Sequence, residues 1–128
     1  MNNKKLGTQF ERETVAWLSE HGFWAHFITP DERGAQPFDI IASINNYPAA
    51  IDCKTSVRPI FPIVRLEDNQ KLAFDKWLAC GNKEALLFVK HKGTVYSVDY
   101  RLLKKKGKVH LLNGNEAVKL WKSTLETK

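Results

Sequence analysis

The sequence lacks the features of disulfide-bonded, zinc-stabilised and membrane-spanning proteins. Cys53 and Cys80 are its only two cysteines, too few for a disulfide framework, and neither has the CxxC spacing of a zinc site. No apolar run approaches the ~20 residues of a membrane span. The first residues lead into an amphipathic segment without a signal-type apolar core. We therefore expect reduced thiols, no membrane partner and a cytoplasmic protein.

Motifs of several common enzyme classes are also missing. The four histidines are scattered without a spacing such as HxxxH, which argues against a zinc site. No glycine-rich loop is present to cradle a phosphate, and no serine lies in a nucleophile-elbow context. No repeat or low-complexity tract divides the 128 residues, of which 43% are hydrophobic and 27% charged. We expect one globular domain with a modest core over residues 1–128.

Positive charge is what the second part of the chain has in excess. The net charge is +6. Residues 1–80 contain 9 Lys and Arg against 10 Asp and Glu, whereas residues 81–128 contain 11 against 4. Such an excess suggests a polyanionic partner, although a basic surface can also serve solubility alone. The acidic groups needed for chemistry are expected in the first part, and attraction to nucleic acid in the second.

Hydrophobic periodicity and turn signals predict an α/β fold in the order α-β-β-β-α-β-β, with a mixed central β-sheet flanked by helices. Two prolines within residues 57–62 argue against a central strand there. The predicted elements are a helix over 7–21, a strand over 23–28, a hairpin within 36–56, a helix over 67–80, a hairpin of 85–91 and 94–98, a short strand at 110–112 and a final helix from about 115 to 125.

Charged side chains interrupt the apolar strands of the first hairpin. Asp39 lies at the start of one strand, and Asp52 and Lys54 lie near the end of the other. Side chains alternate across a strand, so Asp52 and Lys54 share one face while Cys53 points to the other. If the arms pair around Asn45-Asn46, Asp39 lies beside Asp52. Two carboxylates and an ammonium then converge, an arrangement suited to a divalent metal beside a phosphate.

Two further polar residues fall on buried faces of predicted helices. At ~100° per residue, Glu11 lies on the same side as Leu18, and an inward carboxylate needs a partner. We expect a site role for Glu11, the alternative being a boundary salt bridge, whereas Glu13 is expected to be solvated. Gln70 lies beside the stripe of Phe74 on the second helix. It could satisfy a backbone group or reach a metal-bound water or phosphate.

Oxygen ligands without His or thiolate suit Mg²⁺ or Mn²⁺. A carboxylate-held Mg²⁺ binds a phosphate oxygen, orients a water and stabilises charge that develops during displacement. A neighbouring lysine such as Lys54 can orient that water or help deprotonate it, and it offsets phosphate charge. The set Glu11, Asp39, Asp52 and Lys54 therefore predicts phosphodiester chemistry.

These motifs resemble those of the PD-(D/E)xK nuclease superfamily. They are Gly7-x-x-x-Glu11 on the first helix, Pro37-Phe38-Asp39, and Ile51 to Ser56 with its Asp-Cys-Lys-Thr-Ser run. Within the superfamily the chain is most similar to the small Holliday junction resolvases of the archaeal and RecU kinds. The likeness covers roughly residues 6–98 and implies a restriction-endonuclease-like core. Residues from about 99 to 128 are then a basic C-terminal extension.

The resemblance implies a metal-dependent DNA endonuclease and a role for each site residue. Asp39 and Asp52 bind Mg²⁺, for which Mn²⁺ can substitute, and Glu11 contributes directly or through water. Lys54 acts on the attacking water, and Gln70 supports it. It also implies a 5′-phosphate and a 3′-hydroxyl as product ends, a four-way junction as the DNA partner, and a homodimer that cuts two symmetric strands.

The chain departs from the resolvase pattern at three positions. Asp52 stands where these resolvases have Glu, Phe38 separates Pro37 from Asp39, and Asn69 replaces the His of a His-Gln pair. Alternative interpretations are a restriction- or transposition-type endonuclease with the same core, or a non-catalytic DNA-binding protein whose acidic cluster is an ion-pair network.

Six cations are predicted to contact DNA phosphates. The loop over residues 29–37, which contains Arg33, precedes Asp39 and is a candidate substrate-contacting loop, the alternative being an ordinary surface loop. The predicted contacts are Lys4, Lys5, Arg12, Arg33, Arg58 and Arg65.

Overall fold

The structure is a computed structural model that describes residues 3–29 and 36–124, with side chains from residue 9 onward. Its elements follow the predicted order with three additions, a short strand, a 3₁₀ turn and a short helix, except that the last element is a strand instead of a helix. The bounds are α1 Asn3–Glu20, β1 Trp24–Phe27, β2 Ile40–Ile44, β3 Tyr47–Thr55, β4 Ile60–Pro62, a 3₁₀ turn Ile63–Arg65, α2 Asp68–Ala79, β5 Glu84–His91, β6 Thr94–Asp99, α3 Tyr100–Lys106, β7 Lys108–His110 and β8 Val118–Lys122.

A six-stranded mixed sheet of order β1-β2-β3-β5-β6-β8 forms the centre of the molecule. Among the described strands, only β3 and β5 pair in parallel, through the crossover that contains α2. The β2–β3 hairpin turns at Asn45 and Asn46, whose φ values of 49° and 68° are those a two-residue hairpin turn requires. A separate two-stranded sheet joins β4 to β7. The prediction of an α/β fold with a mixed central sheet flanked by helices is confirmed.

Each face of the large sheet carries its own apolar cluster. On one face α1 packs through Phe10 and Leu18 against Ile40, Ile51 and neighbouring side chains. On the other face α2 and α3 pack against the sheet, with Phe74, Leu87 and Tyr100 fully buried. Strand β5 lies between the two clusters, so its Leu-Leu-Phe-Val run is covered on both sides, as predicted.

The predicted final helix from about residue 115 to 125 is wrong. The described residues of this segment form β8, an edge strand that pairs with β6 across a register shift at Val95 and Tyr96. Trp121 stacks on Trp17 of α1 with ring centroids 4.7 Å apart. The free edge of β6 and this aromatic partner override a local pattern that fits a helix equally well.

The prediction that Glu13 is solvated is also wrong. Its carboxylate accepts hydrogen bonds from Trp121 Nε1 at 3.2 Å, Ser123 Oγ at 2.8 Å and Thr124 N at 3.2 Å. These donors all come from the end of the described chain, so Glu13 connects β8 to α1 through hydrogen bonds.

The described helices include none with the length and apolar character of a membrane span.

Candidate active site

The β2–β3 hairpin brings Asp39 and Asp52 together at its open end. Asp39 directly precedes the Ile40–Ile51 pair, and its backbone N–H donates to the Ile51 carbonyl at 3.1 Å. Both oxygens of the Asp39 carboxylate accept a hydrogen bond, Oδ1 from Gln36 Nε2 at 2.6 Å and Oδ2 from the Cys53 N–H at 2.7 Å. The orientation of Asp39 is therefore defined from two sides.

Asp52 is fully buried, and one of its oxygens is unsatisfied. Oδ2 accepts from Gln70 Nε2 at 3.1 Å and lies 3.3 Å from Lys54 Nζ. Among the residues that the structure describes, Oδ1 has no hydrogen-bond partner. Burial, and next to it the charge of Asp39, raise the pKa of Asp52 to about 8 although Lys54 opposes the shift. A buried carboxylate oxygen without a donor costs free energy of folding, so Oδ1 is available to bind a further donor or a cation.

Lys54 and Gln70 complete the arrangement on the same side of β3. Lys54 Nζ donates to Gln70 Oε1 at 3.1 Å, and the lysine side chain is 18% exposed. Gln70 Oε1 also accepts from the backbone N–H of Glu67, as one half of a capping box at the start of α2. Gln70 therefore serves a backbone group and contacts both Asp52 and Lys54. The ammonium is held at the solvent edge of the site.

Glu11 faces the pair from α1. Burial, and after it the charge of Asp39, raise the pKa of Glu11 to about 7. Its neighbour along the helix, Arg12, is exposed. Among the side chains that the structure describes, no group of three or more His, Cys, Asp and Glu residues is arranged closely enough to hold a metal ion. Asp39 and Asp52 are thus the central pair, and Glu11 contributes charge beside them.

The residues present fit a hard cation. The unsatisfied Oδ1 of Asp52 has a lone pair to offer, and each Asp39 oxygen keeps one in addition to the hydrogen bond it accepts. A bound cation would offset the burial and mutual repulsion that raise the pKa values of Asp52 and Glu11. Carboxylate oxygens are the ligands that Mg²⁺ and Mn²⁺ prefer.

The predicted DNA contacts are only partly visible. Arg58 and Arg65 are exposed near the end of β3, and Arg65 Nη2 donates to the Thr55 carbonyl at 2.8 Å. The Arg65 guanidinium also lies 5.2 Å from the ring centroid of Phe61. Arg33 lies outside the described residues. The side chains of Lys4 and Lys5 likewise lie outside the description, although their backbone belongs to α1.

Sequence reasoning missed two polar residues at the site, Gln36 and Asn69. Gln36 holds Asp39, and Asn69 Nδ2 donates to the Gln36 carbonyl at 3.1 Å. The available signal was that Asn69 takes the place of the resolvase histidine immediately before Gln70. Gln36 lies in a polar loop segment, where no periodicity distinguishes a site residue from a solvated one.

A mixed sheet between helices, with an Asp39–Asp52–Lys54 set on its first hairpin, defines a nuclease of the PD-(D/E)xK type. Residues 2–124 match the family described as "Archaeal holliday junction resolvase (hjc)". The chain belongs to this family, whose members are endonucleases that hydrolyse DNA phosphodiester bonds. The prediction of a junction-resolving nuclease is thereby confirmed.

One solved structure supports the fold independently. Hjc from Archaeoglobus fulgidus, a Holliday junction resolvase from an archaeal hyperthermophile, superimposes with a TM-score of 0.60 at 19% sequence identity. The match covers 89% of this chain and 87% of that chain. Among curated protein sequences, none matches this chain significantly.

Proposed function

We propose that this resolvase is Mg²⁺-dependent and that Asp39 and Asp52 hold the metal, with Mn²⁺ able to substitute. The observation that carries the proposal is the buried Oδ1 of Asp52, which has no partner among the described residues, while Lys54 pairs with the other oxygen, Oδ2. When bound, Mg²⁺ would supply Lewis-acid polarisation of a phosphate oxygen and a water of lowered pKa. The family as a whole is metal-dependent, which supports a cation here.

The side chains divide the remaining work. Lys54 donates hydrogen bonds toward the attacking water or the scissile phosphate, and its charge offsets that of the phosphate. Gln70 holds Lys54 and Asp52 through opposite ends of one amide, which keeps ammonium and carboxylate in a fixed relation. Glu11, with a pKa of about 7, can take up or release a proton beside Asp39 at neutral pH.

The proposed substrate is a four-way DNA junction, bound by a homodimer whose two sites cut symmetric strands. Arg12, Arg58 and Arg65 are exposed and available for phosphate contacts, and we extend the same role to Lys4, Lys5 and Arg33. The basic residues after 99 would add attraction to the DNA arms.

We also propose that residues 1–128 act as one nuclease domain, since β8 extends the sheet that carries the site. The cytoplasm is the proposed place of action.

The decisive experiment compares a mobile four-way junction with a linear duplex of the same sequence, with Mg²⁺ and in EDTA. We expect paired symmetric nicks in the junction that leave 5′-phosphates, and none in EDTA or with Asp52→Asn. Asp68→Asn is the matched control, because Asp68 is an exposed carboxylate at the start of α2. Equal cutting of duplex would refute junction selectivity, and full activity of Asp52→Asn would refute the site assignment. A protein that binds junctions but never cuts them would be the non-catalytic alternative.

A further inference from the structure

A hydrogen-bonded link reaches Asp39 from the start of α2 through a residue that has no role in the function proposed above. Asn69 Nδ2 donates to the backbone carbonyl of Gln36, and Gln36 Nε2 donates to Asp39 Oδ1. The next residue of the helix, Gln70, donates directly to Asp52. Two consecutive residues of α2 therefore hold both carboxylates, one through Gln36 and the other directly.

The link matters because the terminal torsion of an aspartate has a broad energy minimum. The Cys53 N–H, which belongs to β3, holds Asp39 Oδ2. With that donor alone, the carboxylate could still rotate about the held oxygen. The Gln36 amide holds the other oxygen at 2.6 Å, so the plane of the carboxylate is defined. Each oxygen nonetheless keeps a lone pair for a cation.

The two carboxylates would otherwise be set by separate parts of the fold. Asp52 is fixed by its burial in β3 and by Gln70. Asp39 precedes β2 and adjoins a loop segment, and among the described residues the other hydrogen bond to its carboxylate comes from the Cys53 N–H of β3. By holding Gln36, Asn69 ties the segment before β2 to the same helical turn that holds Asp52.

We propose that Gln36 is a positioning residue of this nuclease and orients Asp39 relative to Asp52 for cation binding. Asn69 holds Gln36 in place. The inference rests on the proposed function, because it assigns Gln36 a task only if Asp39 is a metal ligand. Groups that orient a metal-binding carboxylate change metal affinity or activity by about 10–100-fold when removed.

The test is Gln36→Met, which preserves side-chain length and the backbone carbonyl that Asn69 binds but removes the amide donor. Mn²⁺ titrated into the free protein and followed by electron paramagnetic resonance should show affinity weakened by about 10–100-fold. Cleavage of a four-way junction at limiting Mg²⁺ should fall by a similar factor and recover at high Mg²⁺. Junction binding in EDTA and the melting temperature should stay close to those of the unmodified chain.

A double-mutant cycle separates the link from a general structural effect. Asn69→Ala should weaken Mn²⁺ binding in the unmodified chain but should cause no further loss in the Gln36→Met background, because Asn69 acts through Gln36. The matched control is Asn115→Ala, because Asn115 is an exposed asparagine in the turn before β8. It should change neither the Mn²⁺ affinity nor the cleavage at limiting Mg²⁺.

The outcomes distinguish the two proposals. If the unmodified chain binds no Mn²⁺ and cuts no junction in Mg²⁺, the proposed function fails. If it does both and Gln36→Met binds Mn²⁺ as tightly or more tightly, the positioning role of Gln36 is refuted. If the losses from Gln36→Met and Asn69→Ala add independently, the link through Gln36 is refuted.

Discussion

The hairpin site and the C-terminal region around α3 treat the same kinds of charge in opposite ways. At the site Asp52 is buried, one of its oxygens has no donor within the described parts of the chain, and its pKa is raised to about 8. Beside α3, Glu116 lies 2.9 Å from Lys106 and accepts from the His110 N–H at 2.7 Å. Contacts of this kind, first the hydrogen bond to Lys106, lower the pKa of Glu116 to about 2.

The comparison shows unfavourable charge burial at the hairpin site, whereas the carboxylates around α3 are paired with cations. Around α3, Lys104 pairs with Asp75 at 2.9 Å and Lys106 pairs with Glu116, so acids and bases satisfy each other near solvent. At the hairpin, the carboxylates of Asp39 and Asp52 lie together, and Lys54 pairs with Asp52. Strained electrostatics of this kind mark a functional site, whereas mutual pairing marks a structural surface.

The largest expected effect comes from exchanging one carboxylate in each region. Asp39→Asn should lower the rate of junction cleavage by about 10³-fold or more, because it removes a charge that stabilises the transition state through the metal. Asp75→Asn removes a carboxylate that accepts hydrogen bonds from Tyr100 and Lys104 away from the site, and it should leave the cleavage rate unchanged. Single-turnover cleavage at saturating protein measures both. Equal losses would erase the distinction between the regions.

Lysines should repeat the contrast on a smaller scale. Lys54→Ala should lower the single-turnover rate by about 10²–10³-fold, the range of a positioned proton-transfer or charge-stabilising group. Lys104→Ala, which breaks the pair with Asp75, should keep the full rate. Retention of activity by Lys54→Ala would contradict the proposed mechanism while leaving membership of the nuclease family intact.

Stability should move in the direction opposite to activity. In EDTA at pH 8, Asp52→Asn should raise the free energy of unfolding by about 1–3 kcal/mol, since it removes a partly ionised carboxylate buried without a donor. Glu116→Gln should lower it, because there the charge is satisfied in the folded state. Urea denaturation of the two variants beside the unmodified chain checks the pair. Destabilisation by Asp52→Asn would show that the site stores no electrostatic cost.

The pH dependence of the metal-free protein should also differ between the regions. Because the folded pKa values of Glu11 and Asp52 lie above 4.5 and 3.8, the folded state binds more protons than the unfolded state. The resulting stabilisation is full below about pH 4 and is lost as pH rises through 7 and 8. Glu116 acts at lower pH, where its stabilisation is present above 4.5 and lost toward 2.

Melting temperatures in EDTA and in Mg²⁺ between pH 5 and 8.5 measure this effect. Mg²⁺ should raise the melting temperature most at high pH, where the carboxylates are ionised. A flat profile in EDTA, or one that Asp52→Asn leaves unchanged, would contradict the assignment.

The smallest expected effect concerns DNA attraction by the C-terminal region. In the part of the chain that the structure describes, Lys105 and Lys108 are exposed and have no ion pair. Replacing both with alanine should weaken junction binding a few-fold and reduce the salt slope of log K by about 2. The single-turnover rate at saturating protein should not change. An unchanged salt slope would mean that these lysines are solvated and do not contact DNA phosphates.

Much of the fold follows from local pattern, because its main elements have strong periodicity or clear turns. The helix at 67–80 and the hairpin around Lys92-Gly93 are confirmed within a residue or two. The C-terminal region was harder to predict. α3 is short and covered with lysines, so its local pattern resembles a solvated charge run. β8 is an edge strand whose identity depends on β6 and on Trp17, more than 20 and 100 residues away.

The site could be predicted only where a resemblance or strand alternation pointed to it. Alternation predicts that Asp52 and Lys54 share a face, and the 3.3 Å contact between them agrees. Neither pattern reaches the link between Asn69 and Gln36, which spans 33 residues and ends on a backbone carbonyl. The bonds of Glu13 to residues 121–124 span more than 100 positions. Contacts of this range depend on how the elements pack, which local periodicity does not encode.

The capping box at the start of α2 makes the site visible to amide hydrogen exchange. Gln70 Oε1 accepts from both the Glu67 N–H and Lys54 Nζ, so fraying of this first helical turn breaks the contact between Gln70 and Lys54 at the same moment as it frees the amide proton. Local openings of this kind set the exchange rate of such protons. The exchange of a single backbone proton, at Glu67, therefore reports how often Gln70 releases Lys54.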